Sequence, residues 1–323
     1  VKKVDEFSLI QKVKQNHYQQ ASLVKGIGDD AAVFREVSND LVVTVDTFVE
    51  GVHFTEETMD AFHIGYRGLA ANFSDLAAMG AIPLYYLVSI VVPKDWQEDA
   101  ISDIFKGMKQ LAKRYDSDLI GGDTVSGNEL VLSVTVIGKV EKNRARYRSH
   151  AQAGDIVFVT GTLGDASAGL HVLQHRVNIN DKDYFIKRHR EPAPRVEFAR
   201  ELAHLKRVAL NDVSDGIASE THELAEASHV SIILKDEHIP VHPGLMQFPP
   251  NLQTKWKYFG GEDFELLGTV SQTDWPKVQR AANALHLKVS EIGYVTHKES
   301  DYVYLKKGEV LKPLMKAGYT HLK

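Results

Sequence analysis

The chain has 323 residues, 43% hydrophobic and 25% charged, the composition of a globular protein with ample core and length for about two domains. Lys and Arg total 38 against 43 Asp and Glu, and the net charge of −5 argues against nucleic acid or an anionic membrane as the main partner. Cysteine is absent, which removes disulfides, thiolate metal sites and cysteine nucleophiles together.

No run reaches the roughly 18 apolar residues of a membrane span, and the N-terminal VKKVDEFSLIQKVKQ lacks a signal-peptide apolar block. A cytoplasmic protein with no membrane partner is expected. The spacing of Phe7, Ile10 and Val13 predicts a short amphipathic helix over Phe7–His17. Gly26–His53 then reads GIGDDAAVFREVSNDLVVTVDTFVEGVH. It opens on a glycine turn with the adjacent carboxylates Asp29 and Asp30. A buried strand follows over Leu41–Thr47, delivering Asp46 near its end, and the stretch closes on His53. Asp60–Met79 is predicted as a long helix whose Ala and Gly residues allow close packing. Leu84–Val92 is strongly β-like and closed by Pro93, and Glu98–Arg114 is a second helix. Asp118–Ile120 is a short strand running into Gly121-Gly122-Asp123-Thr124, and Leu130–Val140 is another strand.

The second half follows a basic segment, Lys142–Arg148. Strands are predicted over Ile156–Thr160, Val208–Val213, Val230–Leu234, Phe264–Val270, Lys288–Val295 and Tyr302–Lys306. Helices are predicted from Asp165 and over Arg195–Leu205, Ile217–Ser228 and Trp275–Leu287. The Pro-rich Ile239–Pro250 reads as a loop or a broken helix. A boundary near residue 150 gives two layered α/β domains, 1–149 and 150–323.

Acids recur at strand ends or in buried surroundings: Asp46, Asp75 in ANFSDLAAMG, Asp123, Asp212 and Asp215 in NDVSDG, and Glu262 in GGEDFELL. Two carboxylates about 4 Å apart repel by roughly 4 kcal/mol at an effective dielectric near 20, so acids that converge usually converge on a cation. Oxygen-only ligands select hard ions, and magnesium typically brings phosphates with it. A magnesium–phosphate site is therefore expected. Each motif has a plainer reading. Asp75 can be a buried acid capped by Ser74, Asp123 an N-cap after a tight turn, and Ser214 or Asp215 an ordinary helix cap. Gly161-Thr162-Leu163-Gly164 can cradle a phosphate or simply join strand to helix closely. GIGDDA spells the short dinucleotide fingerprint, but a poor strand precedes it and its two acids would repel a pyrophosphate. No P-loop, kinase catalytic loop or zinc spacing is present.

Together GIGDDAAV, TVDTFVEGVHF, NFSDLAAMGA, GGDT, VSDG and GGEDFELL, in this order, resemble the thiamine-monophosphate kinase family, of the superfamily that includes aminoimidazole ribonucleotide synthetase. The resemblance implies an α/β fold with two domains. The N-terminal domain binds metal and ATP, and its sheet pairs across a homodimer. It implies direct phosphoryl transfer from ATP to thiamine monophosphate, the last step to thiamine diphosphate, in a cleft holding several Mg2+ ions. Asp30, Thr44, Asp46, Asp75, Asp123, Asp212 and Asp215 match the metal positions, with Val45 contributing through its backbone. Gly122, Asp123, Arg148 and Ser214 match ATP positions. His53 and Glu262 match substrate positions, and Tyr319 offers a ring face for thiamine. The family closes on Gly-aromatic-x-His-Phe, whereas this chain reads Gly318-Tyr319-Thr320-His321-Leu322-Lys323. A phosphohistidine at His53 is the mechanistic alternative. A silent nucleotide-binding protein and an aminoimidazole ribonucleotide synthetase, which fits the motifs less well, are the functional ones. The selenophosphate and hydrogenase-maturation members use a cysteine or selenocysteine that this chain lacks.

Overall fold

The structure is a computed structural model that describes residues 12, 15, 17–25, 33–34 and 38–319. The predicted helix over Phe7–His17, apart from residues 12, 15 and 17, the glycine turn with Asp30, and the final residues 320–323 lie outside the described residues. The chain divides into two compact units, Val1–Leu76 with Ala81–Asn143, and Ala77–Gly80 with Arg144–Lys323.

In the first unit, β1 (Leu23–Lys25) and β2 (Val33–Phe34) form a small antiparallel pair. β3 (Asn39–Val49), α1 (Ala61–Ala78), β4 (Ile82–Pro93), α2 (Glu98–Arg114), β5 (Asp118–Gly127) and β6 (Val131–Glu141) follow. The four long strands make one sheet in the order β3-β6-β4-β5, antiparallel except for the β4–β5 pair. α2 is helical because Ile101, Ile104, Met108 and Leu111 recur every three or four residues and are all buried. Its Glu98 and Asp99 start and its Lys113 and Arg114 end complement the helix dipole. The small residues expected to permit close packing do so at two places. A Cβ on Gly65 would lie 1.8 Å from the Ile104 carbonyl oxygen, and one on Gly107 would lie 1.9 Å from that of Phe62. The two helices therefore touch backbone to backbone.

β5 departs from the prediction. The strand expected to stop at Ile120 continues to Gly127, so Gly121-Gly122-Asp123-Thr124 lies within a strand and not in a turn beyond it. Gly122 is required there because a Cβ would come within 1.9 Å of the Val88 carbonyl oxygen on β4. Asp46 likewise lies inside β3, with three more strand residues after it.

The second unit carries β7 (Ile156–Thr160), α3 (Asp165–His175), α4 (Lys182–Arg190), α5 (Val196–Glu201), β8 (Ala209–Asp212), α6 (Ile217–Ser228) and β9 (Val230–Lys235). Next come α7 (Pro250–Phe259), β10 (Leu266–Val270), α8 (Trp275–Ala284), β11 (Val289–His297), β12 (Val303–Lys307) and β13 (Val310–Pro313). Its seven-stranded sheet runs β13-β12-β9-β11-β7-β10-β8, with one parallel pair, β12–β9. Ile217 and Leu224 of α6 pack on Val157, Val159, Ile232 and Ile292 of the sheet. α4 and α7 were not predicted. α4 reads KDYFIKRHR, too polar for a periodic signal, and is held by Phe185, whose full burial contributes about 1.5–3 kcal/mol. α7 begins at Pro250, where a proline favours the first helical turn. Arg195–Leu205 is helical only over Val196–Glu201.

Candidate active site

In β3, residues two apart share a face, so Thr44, Asp46 and Phe48 point one way and Leu41, Val43, Val45 and Thr47 the other. Phe48 is buried, and its ring carbon lies 4.0 Å from where a Cβ on Gly68 of α1 would sit, so this face lies under α1. Asp75, further along α1, accepts a 2.5 Å hydrogen bond from Thr44 Oγ1. Burial, and then the charge of Asp75, push the half-buried Asp46 carboxyl up to about 7. The first unit thus brings Thr44, Asp46 and Asp75 together. Val45 points to the opposite face with its side chain 60% exposed, so only its backbone is available toward Asp46.

Asp123 falls elsewhere. The registers align Asp46 with Val134, Val88 and Gly122, and the next row holds Thr47, Ser133, Ser89 and Asp123. Thr47 Oγ1 donates to Ser133 Oγ at 3.2 Å, which marks that row's common face. Asp123 therefore belongs to the face away from Asp46, three strands across, or roughly 14 Å at the usual strand spacing. Its Oδ1 accepts from the Thr124 N–H at 2.9 Å.

Beyond β3 the chain turns at Gly51, and His53 stacks on Phe48 with ring centroids 5.1 Å apart. His53 Nδ1 accepts from the Val49 N–H at 3.0 Å, which places the proton of the neutral ring on Nε2. The same loop borders a cavity of about 430 Å³ between the starts of α1 and α2. Phe54, Met59 and Trp96 give it apolar walls, and its lining acids include Glu50, Asp60 and Glu129, with no Lys or Arg. That lining suits a cationic ring and repels a phosphate.

In the second unit β8 ends at the buried Asp212, and the turn Val213–Gly216 leads into α6. Glu262 donates its N–H to the Ser214 carbonyl at 2.6 Å, and Phe264 donates to that of Val213 at 3.0 Å. The C-terminal stretch of the chain returns to the same turn. A Cβ on Gly318 would lie 2.2 Å from the Asp215 carbonyl oxygen, which brings the half-exposed Tyr319 beside it. Arg148 joins through Asn211, its Nε donating to Asn211 Oδ1 at 3.0 Å and its Nη2 lying 3.0 Å from Glu223 Oε2. Arg148, Ser214, Asp215, Glu262 and Tyr319 are therefore gathered in one unit. Sequence reasoning missed Glu220, 2% exposed, whose carboxylate accepts from the Asp215 N–H at 3.0 Å and from Asn211 Nδ2 at 2.5 Å. Burial pushes its carboxyl up to about 7. An acid in the first turn of the helix after NDVSDG was the available signal.

The other acids of GGEDFELL are structural. Asp263 Oδ2 accepts from the Gly164 N–H at 2.6 Å and Oδ1 from the Ala166 N–H at 2.9 Å. The glycine loop Gly161–Gly164, for which a phosphate cradle is one of two readings, is thus filled by the protein's own carboxylate. Glu265 accepts from Thr160 Oγ1 at 2.6 Å, Arg188 Nη2 at 2.7 Å and Arg195 Nε at 2.6 Å. Within either unit, among the described residues, no three His, Cys, Asp or Glu side chains converge as a metal-holding group.

Two family models match the chain: AIR synthase related protein, N-terminal domain, over residues 28–140, and AIR synthase related protein, C-terminal domain, over residues 152–306. The chain is 48% identical to a thiamine-monophosphate kinase of Bacillus subtilis (strain 168) over 326 residues, covering 99% of this chain and 100% of that protein. A crystal structure of thiamine-monophosphate kinase from Stenotrophomonas maltophilia K279a superposes with a TM-score of 0.85 at 34% identity, covering 94% of this chain and 97% of that one. A structure described as AaThiL complexed with AMPPCP and TMP gives a TM-score of 0.77 at 30% identity, over 98% and 97%.

Proposed function

Because the chain belongs to the thiamine-monophosphate kinase family, with two AIR synthase-type α/β domains, we propose that it transfers the γ-phosphate of ATP to thiamine monophosphate. The products are ADP and thiamine diphosphate, the last step of thiamine diphosphate biosynthesis. The observation that carries this reading is full-length likeness at 48% identity to a kinase of that acceptor.

The donor set fits magnesium. It offers carboxylates and a hydroxyl without a thiol, and Asp46, held up to about 7 by burial and by Asp75, gains from a nearby cation. Asp46, Asp75 and Thr44 of the first unit, with the Val45 backbone, and Asp212 and Asp215 of the second are assigned as magnesium ligands. Asp30 and Asp123 are assigned to metal, and Gly122 and Asp123 to the nucleotide, by family resemblance, with Gly122 in the row of Asp46 and Asp123 on the opposite face of the sheet. Bound magnesium ions supply charge neutralisation between the phosphates. Arg148 and Ser214 orient ATP. His53, Glu262 and Tyr319 hold the acceptor, and the acid-rimmed cavity beside the His53 loop has the sign for the cationic thiazolium ring. The Val49 N–H on His53 Nδ1 and the proton on Nε2 favour direct in-line transfer over a phosphohistidine.

The outward apolar face of β3 supports a homodimer formed through this sheet, because Leu41, Val43 and Val45 are 43%, 62% and 60% exposed. Among the described residues no helix is long and apolar enough to cross a membrane, and with the net charge of −5 this supports a cytoplasmic enzyme without nucleic-acid partners. ADP release with thiamine monophosphate, set against thiamine and other phosphate acceptors, tests the proposal. Release that does not depend on thiamine monophosphate would sink it, and radiolabel retained on His53 after rapid quench would sink direct transfer.

A further inference from the structure

We infer that Glu220 is a positioning residue for the ATP side of the second unit, joining Arg148 to the Ser214–Asp215 turn through one buried carboxylate. The inference rests on the reading just given, in which Arg148 and Ser214 meet ATP and Asp215 meets metal.

Glu220 lies in the first turn of α6 and is 2% exposed, so it does not reach out to a ligand itself. Its two oxygens face opposite halves of the site. Oε1 accepts from the Asp215 N–H at 3.0 Å and from Ser214 Oγ at 3.3 Å. Oε2 accepts from Asn211 Nδ2 at 2.5 Å. The amide of Asn211 is thereby fixed with its oxygen outward, where it takes Arg148 Nε at 3.0 Å. One turn along α6, Glu223 Oε2 lies 3.0 Å from Arg148 Nη2 and holds the outer edge of the guanidinium. Glu220 thus holds the Asp215 N–H, the Ser214 hydroxyl and the Asn211 amide and, through that amide, Arg148, with Glu223 as a second and longer hold on Asn211 Nδ2 at 3.5 Å. The carboxylate suits this place because both its oxygens accept, and the three groups hydrogen-bonded to it, the Asp215 N–H, Ser214 Oγ and Asn211 Nδ2, all donate.

A near-isosteric change exposes the logic. In Glu220→Gln one oxygen becomes an NH2, which must meet a donor, either the Asp215 N–H or the Asn211 amide. The turn or the Arg148 anchor then loses its fixed place. A second change, Asn211→Asp, restores the pattern. The NH2 introduced by the first change would donate to the carboxylate introduced by the second, whose other oxygen accepts Arg148 Nε. The remaining amide oxygen keeps the Asp215 N–H.

The test measures magnesium–ATP affinity by calorimetry, KM for each substrate, and melting temperature, for wild type, E220Q and the N211D/E220Q pair. The expected result is a weakening of ATP binding by about tenfold or more in E220Q. KM for thiamine monophosphate should change little, and the double variant should recover most of the loss. Unchanged ATP affinity in a folded E220Q, equal losses for both substrates, or no recovery in the pair would overturn the inference. If E220Q does not fold, E220D, which keeps the charge but withdraws it by one methylene, is read in the same way. ATP affinities that follow this pattern without acceptor-dependent turnover would leave the positioning role standing and remove only the acceptor. A wild type that binds no ATP would remove both.

Discussion

Asp46 in the first unit and Glu265 in the second are both carboxylates shielded from water, yet the protein moves them in opposite directions. Burial and the neighbouring charge of Asp75 push Asp46 up to about 7. Burial alone would push Glu265 up as well, but the guanidiniums of Arg195 and Arg188 and the Thr160 hydroxyl hold it below the ordinary carboxylate range. The carboxylate of Glu265 is satisfied from within, and its business is holding α4 and the segment before α5 to β10. That of Asp46 is set beside another acid, an arrangement that favours an added cation. Motif reading treats the two alike, and the direction of the shift separates them.

The contrast is broken most severely at Glu265. Glu265→Gln keeps the volume and removes the buried charge that Arg188 and Arg195 share, leaving Asp165 3.6 Å from Arg188, so it should cost about 3–5 kcal/mol in urea unfolding. A loss below about 1 kcal/mol would mean that the guanidiniums are satisfied by other groups. Asp46→Asn and Asp215→Asn should lower turnover by about a hundredfold or more, equivalent to about 2.7 kcal/mol, at moderate magnesium. Without metal, the melting temperature of each should be unchanged or slightly raised, because one member of a self-repelling group has been neutralised. Near-normal turnover with a lowered melting temperature would make these acids caps or ion-pair partners instead. Arg148→Ala should raise the ATP requirement, with a loss of about 1.5–3 kcal/mol for a charge-assisted hydrogen bond, and should spare that for thiamine monophosphate. Equal effects on both substrates count against its assignment.

The smallest effect sharpens the comparison inside the second unit. Burial, and then the charge of Asp165, raise the Asp263 carboxyl above its ordinary 3.8. The folded protein therefore keeps a proton that the unfolded chain releases. The resulting stability is full below 3.8 and is lost as pH rises toward the raised folded value. Between about pH 5 and about pH 8 the melting temperature of Asp263→Asn should fall less than that of the wild type. Parallel curves would show that Asp263 is ionised throughout.

Most of the architecture was legible where periodicity was strong, as in α2, whose apolar spacing matches burial residue by residue, whereas β3, expected as a buried strand, exposes Leu41, Val43 and Val45 on one face. The failures have physical causes. Gly121-Gly122 signals a turn to any local rule, but the need for glycine came from β4, a neighbour remote in sequence. α4 hides its one large anchor, Phe185, among charges. In GGEDFELL the acids look equivalent, yet the carboxylate of Asp263 caps α3 and that of Glu265 binds two arginines. Glu220 was missed because it acts on other residues and not on a ligand. The gathering of Ser214, Glu262 and Tyr319 around one turn follows from long-range contacts that no spacing along the chain reveals.

The alternation of β3 has a consequence for how this sequence can vary. Thr44 and Asp46 occupy one parity of the strand, and Leu41, Val43 and Val45 the other. Losing or gaining a single codon between Leu41 and Asp46, with the pairing to β6 kept at the far end, would exchange the two sets. Aliphatic side chains would be turned toward α1 and Asp75, and a carboxylate would appear among the outward valines. Substitutions can adjust either face alone, whereas an indel disturbs both at once. Length within this strand should therefore be held more tightly than residue identity, and length polymorphism should be confined to the loops on either side.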